Sequence, residues 1–145
     1  MIDSEITGQV ADEIEAILQA NFSGYTIYGK DDTLASALKN IYRMPGIVIT
    51  VNPLQPSTAF LDNPDTITVV VSLLFLYKIA TEPETIKGDV VKARRLLETY
   101  QSAIDGVEQL NYASPAVRGP DNYTVPDGSD LVYFTLTAQK EFVEG

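Results

Sequence analysis

The segment TITVVVSLLFLYKI at residues 66–79 constrains the fold of this chain more than any other feature. As a strand its fourteen residues would extend over about 46 Å, whereas most strands have about 3 to 10 residues. A compact chain of 145 residues has a radius of gyration of about 15 Å. A straight strand of this length would reach or pass the limits of its own domain. We therefore expect support from outside the monomer.

The two faces of this strand differ. Alternate residues from Ile67 to Ile79 are all apolar, which predicts a face packed against helices. The other face is polar at its ends and apolar in its middle, as in a central strand. We expect another sheet, a loop or another subunit to cover this second face. Its candidate contact residues are Val70, Leu74 and Leu76.

Two segments have the apolar spacing of amphipathic helices. The first covers residues 2–18, with apolar positions at intervals of three and four and acidic residues between them. The second begins at Pro83 and extends to about residue 103, with Gly106 as a stop. A shorter helix that contains Leu34, Leu38 and Ile41 would follow a cap at Asp31 or Asp32.

Further strands are predicted at residues 25–28, 47–51, 107–112 and 131–142, where aromatic and β-branched residues concentrate. The elements predict one α+β domain over residues 1–145. Its two main helices would pack on one face of a largely antiparallel sheet.

Two proline-rich segments, 52–65 and 113–130, are predicted to be long loops. Both carry apolar residues, although exposed loops are usually more polar. These arms would either fold back on their own domain or contact a neighbouring subunit. Their candidate contact residues are Leu54, Phe60 and Leu61 in the first arm and Val117, Tyr123 and Val125 in the second.

The residue types favour a protein without catalysis. The chain has no cysteine and no histidine, which removes thiolate nucleophiles, imidazole bases and the usual zinc ligands. No phosphate-binding glycine motif is present. Asp62 and Asp65 fit turn chemistry better than a calcium loop, which needs several oxygen ligands at fixed spacing. We expect no enzyme activity, metal or cofactor.

The formal net charge of −10 disfavours binding to a phosphate backbone. The apolar stretch at residues 69–76 is too short for a membrane-spanning helix. The opening residues also lack the basic and apolar regions of a signal peptide. We expect no specific binding to nucleic acid and no membrane anchor.

Lys92, Arg94 and Arg95 form the only concentration of basic residues. Helical spacing places Arg94 four residues from Glu98 and Lys92 three residues from Asp89, which favours a solvated face with internal ion pairs. The functional alternative is a contact with an acidic partner or with another copy of this acidic chain.

The order of these pieces extends over nearly the whole chain. It consists of an amphipathic helix (IDSEITGQVADEIEAIL), PGIVITV, a proline-rich arm, the long strand, a main helix (ETIKGDVVKARRLLETY) and a closing strand (DLVYFTLTAQKEF). This layout resembles the tail-terminator or tail-completion proteins of tailed bacteriophages and the related neck proteins. No short diagnostic motif supports the resemblance.

The resemblance implies a virion structural protein of the tail or neck that is assembled in the cytoplasm of the bacterial host. Members of that family form rings, commonly hexamers, that end polymerisation of the tail tube and join the tail to the head connector. Its partners would be copies of itself, the tail tube protein and head connector proteins. An alternative from a different class is a cytoplasmic α+β adaptor domain that binds a peptide or small molecule beneath its arms.

Overall fold

A computed structural model of the protein describes residues 3–29, 45–53, 66–101, 107–112, 115–124 and 130–144. Within these ranges the chain forms two helices and one six-stranded sheet. The elements in chain order are α1 (Asp3–Asn21), β1 (Thr26–Tyr28), β2 (Gly46–Pro53), β3 (Thr66–Lys78), α2 (Pro83–Thr99), β4 (Val107–Tyr112), β5 (Ala116–Thr124) and β6 (Asp130–Glu144).

The long apolar segment is one unbroken strand of 13 residues at the centre of the sheet. β3 pairs with β6 in antiparallel fashion from Thr66 to Lys78, and it pairs with β2 from Val69 to Leu76. β1 lies at one edge and is parallel to β2. Much of the support for the long strand therefore comes from β6, which has 15 residues.

Both described helices lie on the same face of the sheet, so the predicted α+β architecture is confirmed. The strand alternation places Val71, Leu73 and Phe75 of β3 on this face, and all three are fully buried. The ring of Phe75 stacks on Phe134 of β6 with centroids 4.5 Å apart. The helices contribute Ile6, Val10, Ile14 and Leu18 from α1 and Ile86, Ala93 and Leu97 from α2.

α2 begins at Pro83 as predicted but ends at Thr99, about four residues earlier than expected. Tyr100 has extended backbone angles, with φ −62° and ψ 133°. Its side chain is buried, and its hydroxyl donates a hydrogen bond of 2.6 Å to Glu13 of α1. This tertiary contact fixes the end of the helix, while the apolar spacing alone continues past it.

The prediction of a loop over residues 113–130 was wrong, because β5 occupies residues 116–124 and pairs with β6. The proline and glycine that suggested a loop, Gly119 and Pro120, lie at a register shift between Arg118 and Asp121. Gly119 has φ +97°, and a Cβ atom there would lie 2.9 Å from the carbonyl oxygen of Tyr133. An edge strand with a bulge accommodates both residues.

β4 and β5 follow one another along the same edge of β6. The pairing shifts at Gln109/Asn111 and at Arg118/Asp121. The register also differs between the two strands. Tyr112 and Ala116 are four residues apart, whereas their partners on β6, Lys140 and Thr137, are three residues apart. Such irregularities increase twist and interrupt an edge that could otherwise pair with another chain.

Two predicted segments lie wholly or largely outside the described residues. The short helix predicted around Leu34, Leu38 and Ile41 lies outside the described residues. So does most of the first arm, although Asn52 and Pro53 at its start belong to β2 rather than to a loop.

Candidate assembly surface

The face of the sheet opposite the helices has a region without charged side chains. Strand register aligns Thr50 with Ser72 and Thr137, and it aligns Asn52 with Val70 and Gln139. Thr50, Asn52 and Gln139 are exposed, whereas the three residues between them are half-buried. We call these six residues the neutral face: Thr50, Asn52, Val70, Ser72, Thr137 and Gln139.

The same side of the sheet becomes apolar towards its other end. A second buried cluster there consists of Tyr28, Val48, Leu76 and Leu131, with Leu74 and Tyr133 packed against it. Leu76 is 2% exposed and is therefore a core residue of the monomer. Val70 belongs to neither buried cluster of the described residues. Among the three contact candidates of β3, Val70 is thus the apolar group best placed to meet another subunit.

The six candidate contact residues of the two predicted arms fall into three groups. Val117 of β5 is half-buried and packs against the main core, so it supports the monomer. Tyr123, also on β5, is 44% exposed. Leu54, Phe60, Leu61 and Val125 lie outside the described residues.

The basic cluster of α2 is only partly paired as predicted. Arg94 forms the expected ion pair with Glu98 at 3.4 Å. Lys92 instead donates to the backbone oxygen of Asn21 at the end of α1, and its ammonium lies 4.7 Å from the ring centroid of Phe22. Lys92 therefore joins the two helices, while Arg95 is exposed on the outer side of α2.

Asp89 holds α2 on the sheet through two tyrosines. One of its carboxylate oxygens accepts hydrogen bonds from Tyr25 at 2.5 Å and from Tyr77 at 2.7 Å. Burial, followed by the hydrogen bond to Asp89, raises the pKa of both phenols well above the usual value. These hydroxyls stay protonated at neutral pH and act as donors, which indicates a structural role.

Lys140 of β6 is fully buried on the helix side of the sheet. Its ammonium donates to the carbonyl oxygen of Leu97 and lies 5.4 Å from the ring centroid of Tyr100. Burial lowers the pKa of this group to about 8, and the nearby carboxylate of Glu98 opposes the shift. A cation at the carboxyl end of a helix donates a hydrogen bond to a terminal carbonyl group and interacts favourably with the negative end of the helix dipole.

Sequence reasoning missed the roles of Lys140 and Asp89. Lys140 interrupts the apolar alternation of Phe134, Leu136 and Ala138 in the sequence, and this position was the available signal. Asp89 was expected to pair with Lys92 by helical spacing. Asp89 instead accepts hydrogen bonds from Tyr25 and Tyr77. Helical spacing contains no information about residues so distant in the sequence.

A cavity of about 380 Å³ lies between the first half of α2 and β5. Its lining includes Ile79, Pro83, Val90, Pro120 and Val132. Within the described ranges, no group of three or more acidic side chains is placed to hold a metal ion. In the same part of the chain, no helix is long and apolar enough to cross a membrane.

No model of a known protein family matches the chain, and no curated protein matches it.

Proposed function

We propose that the protein is a structural protein of a tailed-bacteriophage virion. It forms a ring, with six copies as the expected number, at the head-proximal end of the tail. There it ends polymerisation of the tail tube and joins the tail to the head connector. Its partners are neighbouring copies of itself, the tail tube protein and connector proteins, and its assembly takes place in the cytoplasm of the bacterial host.

The order of the elements over nearly the whole chain supports the phage assignment, and the neutral face is the observation that supports self-association. In a chain in which 21% of residues are charged, six neighbouring side chains on three strands carry no charge. Both described helices lie on the opposite face of the sheet. Charged residues are depleted at the centres of protein interfaces, and Val70 supplies an apolar group in the middle of this region.

The polar groups inside the fold favour assembly over catalysis. Asp89, Tyr25 and Tyr77 satisfy one another, and Lys140 satisfies a helix end. None of them is presented to a cleft as a paired acid and base would be. A protein that acts by contact with other subunits needs shape and polar complementarity instead.

The proposal is tested by negative-stain electron microscopy together with native mass spectrometry of the purified protein. We expect closed rings with one defined number of copies. Addition of these rings to growing tail tubes should fix the tube length. Tubes that continue to grow past bound protein would contradict a terminator role.

The cavity between α2 and β5 favours a second function, an adaptor that binds a small molecule or peptide. Its volume of about 380 Å³ lies within the range of ligand pockets, and its lining is largely apolar. Native mass spectrometry also tests this alternative. A monomer that retains a bound small molecule would favour the adaptor over the ring.

A further inference from the structure

The outer side of α2 has an unusual residue in its middle. Gly88 lies within a helix of 17 residues, where glycine is less favourable than alanine. A Cβ atom at Gly88 would meet no atom within 4 Å, and the backbone there has no positive φ. Neither the backbone nor packing within the described monomer requires glycine at this position.

Two neighbours of Gly88 on the same side of the helix also lack partners. Val91, three residues further on, is 60% exposed, more than Ile79 or Tyr123. Arg95, four residues beyond Val91, is exposed and forms no hydrogen bond or ion pair through its guanidinium in the described part of the chain. Positions three, four and seven apart share one helix face. We call Gly88, Val91 and Arg95 the α2 notch.

A surface with matching chemistry lies on β5. Tyr123 is 44% exposed, and its ring contacts Tyr133 edge-on with centroids 6.5 Å apart. Asp121, on the same side of the strand, is exposed and has no ion pair with any described residue. A carboxylate suits the guanidinium of Arg95, while a tyrosine ring can lie on glycine and valine as an interface anchor. We call Asp121 and Tyr123 the β5 edge.

The α2 notch and the β5 edge cannot meet within one molecule. Tyr133 packs against the second buried cluster, which places Tyr123 on the side of the sheet away from the helices. The α2 notch faces outward from the helix layer, since its three members are exposed while Ile86, Ala93 and Leu97 face the core. Two different patches on opposite sides of a protein pair between copies in a head-to-tail contact.

Charge favours a second copy of this chain as the occupant of the notch. α2 has four basic residues against three acidic ones in a chain whose net charge is −10. Copies of an acidic protein repel each other unless a basic surface of one meets an acidic surface of the next. Arg95 of the notch and Asp121 of the β5 edge supply one such pair of opposite charges.

We propose that the α2 notch of one copy receives Tyr123 and Asp121 of a second copy, with Arg95 paired to Asp121. This contact rests on the proposed function insofar as that function requires self-association. It does not depend on where in a virion the assembly is located.

Charge exchange tests the contact in the full chain, with association measured by analytical ultracentrifugation. Arg95→Glu and Asp121→Arg should each weaken self-association about tenfold or more, corresponding to about 1.4 kcal/mol. A mixture of the two variants should assemble again, because each partner then meets an opposite charge. Glu82→Arg serves as the matched control, since it changes an exposed acid outside both patches. It should leave association unchanged.

Gly88→Ala separates folding from assembly. The added methyl group should raise the melting temperature of the dissociated protein, because alanine favours an exposed helix. The same methyl group should weaken association by occupying the space meant for Tyr123. Tyr123→Ala should weaken association as well.

The outcomes separate this contact from the proposed function. Open filaments that respond to these variants would support the contact and contradict the ring. Closed rings that form equally well in all of these variants would overturn the contact and leave the ring proposal standing. A wild-type protein that never self-associates would overturn both.

Discussion

The ammonium group of Lys140 donates a hydrogen bond to the carbonyl oxygen of Leu97, which joins the central strand pair to the last turn of α2. Both residues are buried, so this contact lies inside the core rather than at its surface. It also makes the stability of the protein depend on pH in a defined range.

We predict that the contribution of Lys140 to stability rises between pH 8 and about pH 10.5. Burial lowers the pKa of Lys140 from 10.5 to about 8, so in this range the unfolded chain binds more protons than the folded chain. Lys140→Met should remove this contribution. The difference in unfolding free energy between wild type and variant, measured by denaturant titration across this range, checks it. Equal pH dependence in the two proteins would contradict a buried ammonium.

A second pH effect is expected from Tyr25 and Tyr77. Their raised pKa values mean that the stability they provide is complete below pH 10 and is lost as pH rises above it, where the unfolded phenols ionise. Tyr77→Phe should reduce the loss of stability above pH 10. Ultraviolet titration should show fewer phenols ionising near pH 10 in the folded protein than in the denatured protein. Ionisation of Tyr25 and Tyr77 near pH 10 in the folded protein would contradict this arrangement.

Asp89→Ala should destabilise the protein by about 2 to 6 kcal/mol. The substitution leaves two partly buried hydroxyl groups, those of Tyr25 and Tyr77, without their acceptor, and each costs about 1–3 kcal/mol. Addition of Tyr77→Phe to this variant should cost less than Tyr77→Phe costs alone. Chemical denaturation of the four proteins measures the coupling. Strictly additive losses would show that the residues act independently.

Phe75→Ala should cost about 3–5 kcal/mol, because it opens a cavity where β3, β6 and α1 meet. Phe75 is fully buried, stacks on Phe134 and meets Phe22 edge-on at 5.4 Å. Phe75→Leu keeps most of the volume and should cost less. Thermal unfolding of both variants checks the order, and equal losses would contradict packing as the cause.

The long strand and its two faces could be predicted from the sequence because strand alternation is local information. The same holds for Ile6, Val10, Ile14 and Leu18, whose spacing defines the buried stripe of α1. β5 could not be predicted. Gly119 and Pro120 favour a turn locally, and only their position on an edge bulge beside β6 allows a strand.

The candidate surface could be predicted in part. The mixed composition of the second face of β3 distinguished it from the apolar face that packs against the helices. Composition could not separate Leu76, which is buried beside Val48 and Leu131, from Val70, which lies outside both clusters. That distinction depends on the partners of each residue across β2, which sequence spacing does not specify. A Leu74→Asp substitution would disturb the second cluster as well as any subunit contact, because Leu74 packs against that cluster.

Val70 provides the cleaner test of the neutral face. Val70→Lys places a charge among Asn52, Ser72 and Gln139 and should prevent the close approach of another subunit. Val70→Thr is the matched control, since it keeps the shape and adds no charge. We expect both variants to fold, and we expect only the lysine variant to lose association. Loss of association in neither variant would contradict a role for this face.

Native mass spectrometry of the wild-type protein over a wide range of concentration and salt tests the central claim most directly. The ring proposal predicts one discrete oligomer, with six copies as the expected number, that persists as the protein is diluted. A mass of 15.9 kDa at every concentration, corresponding to a single chain, would contradict it.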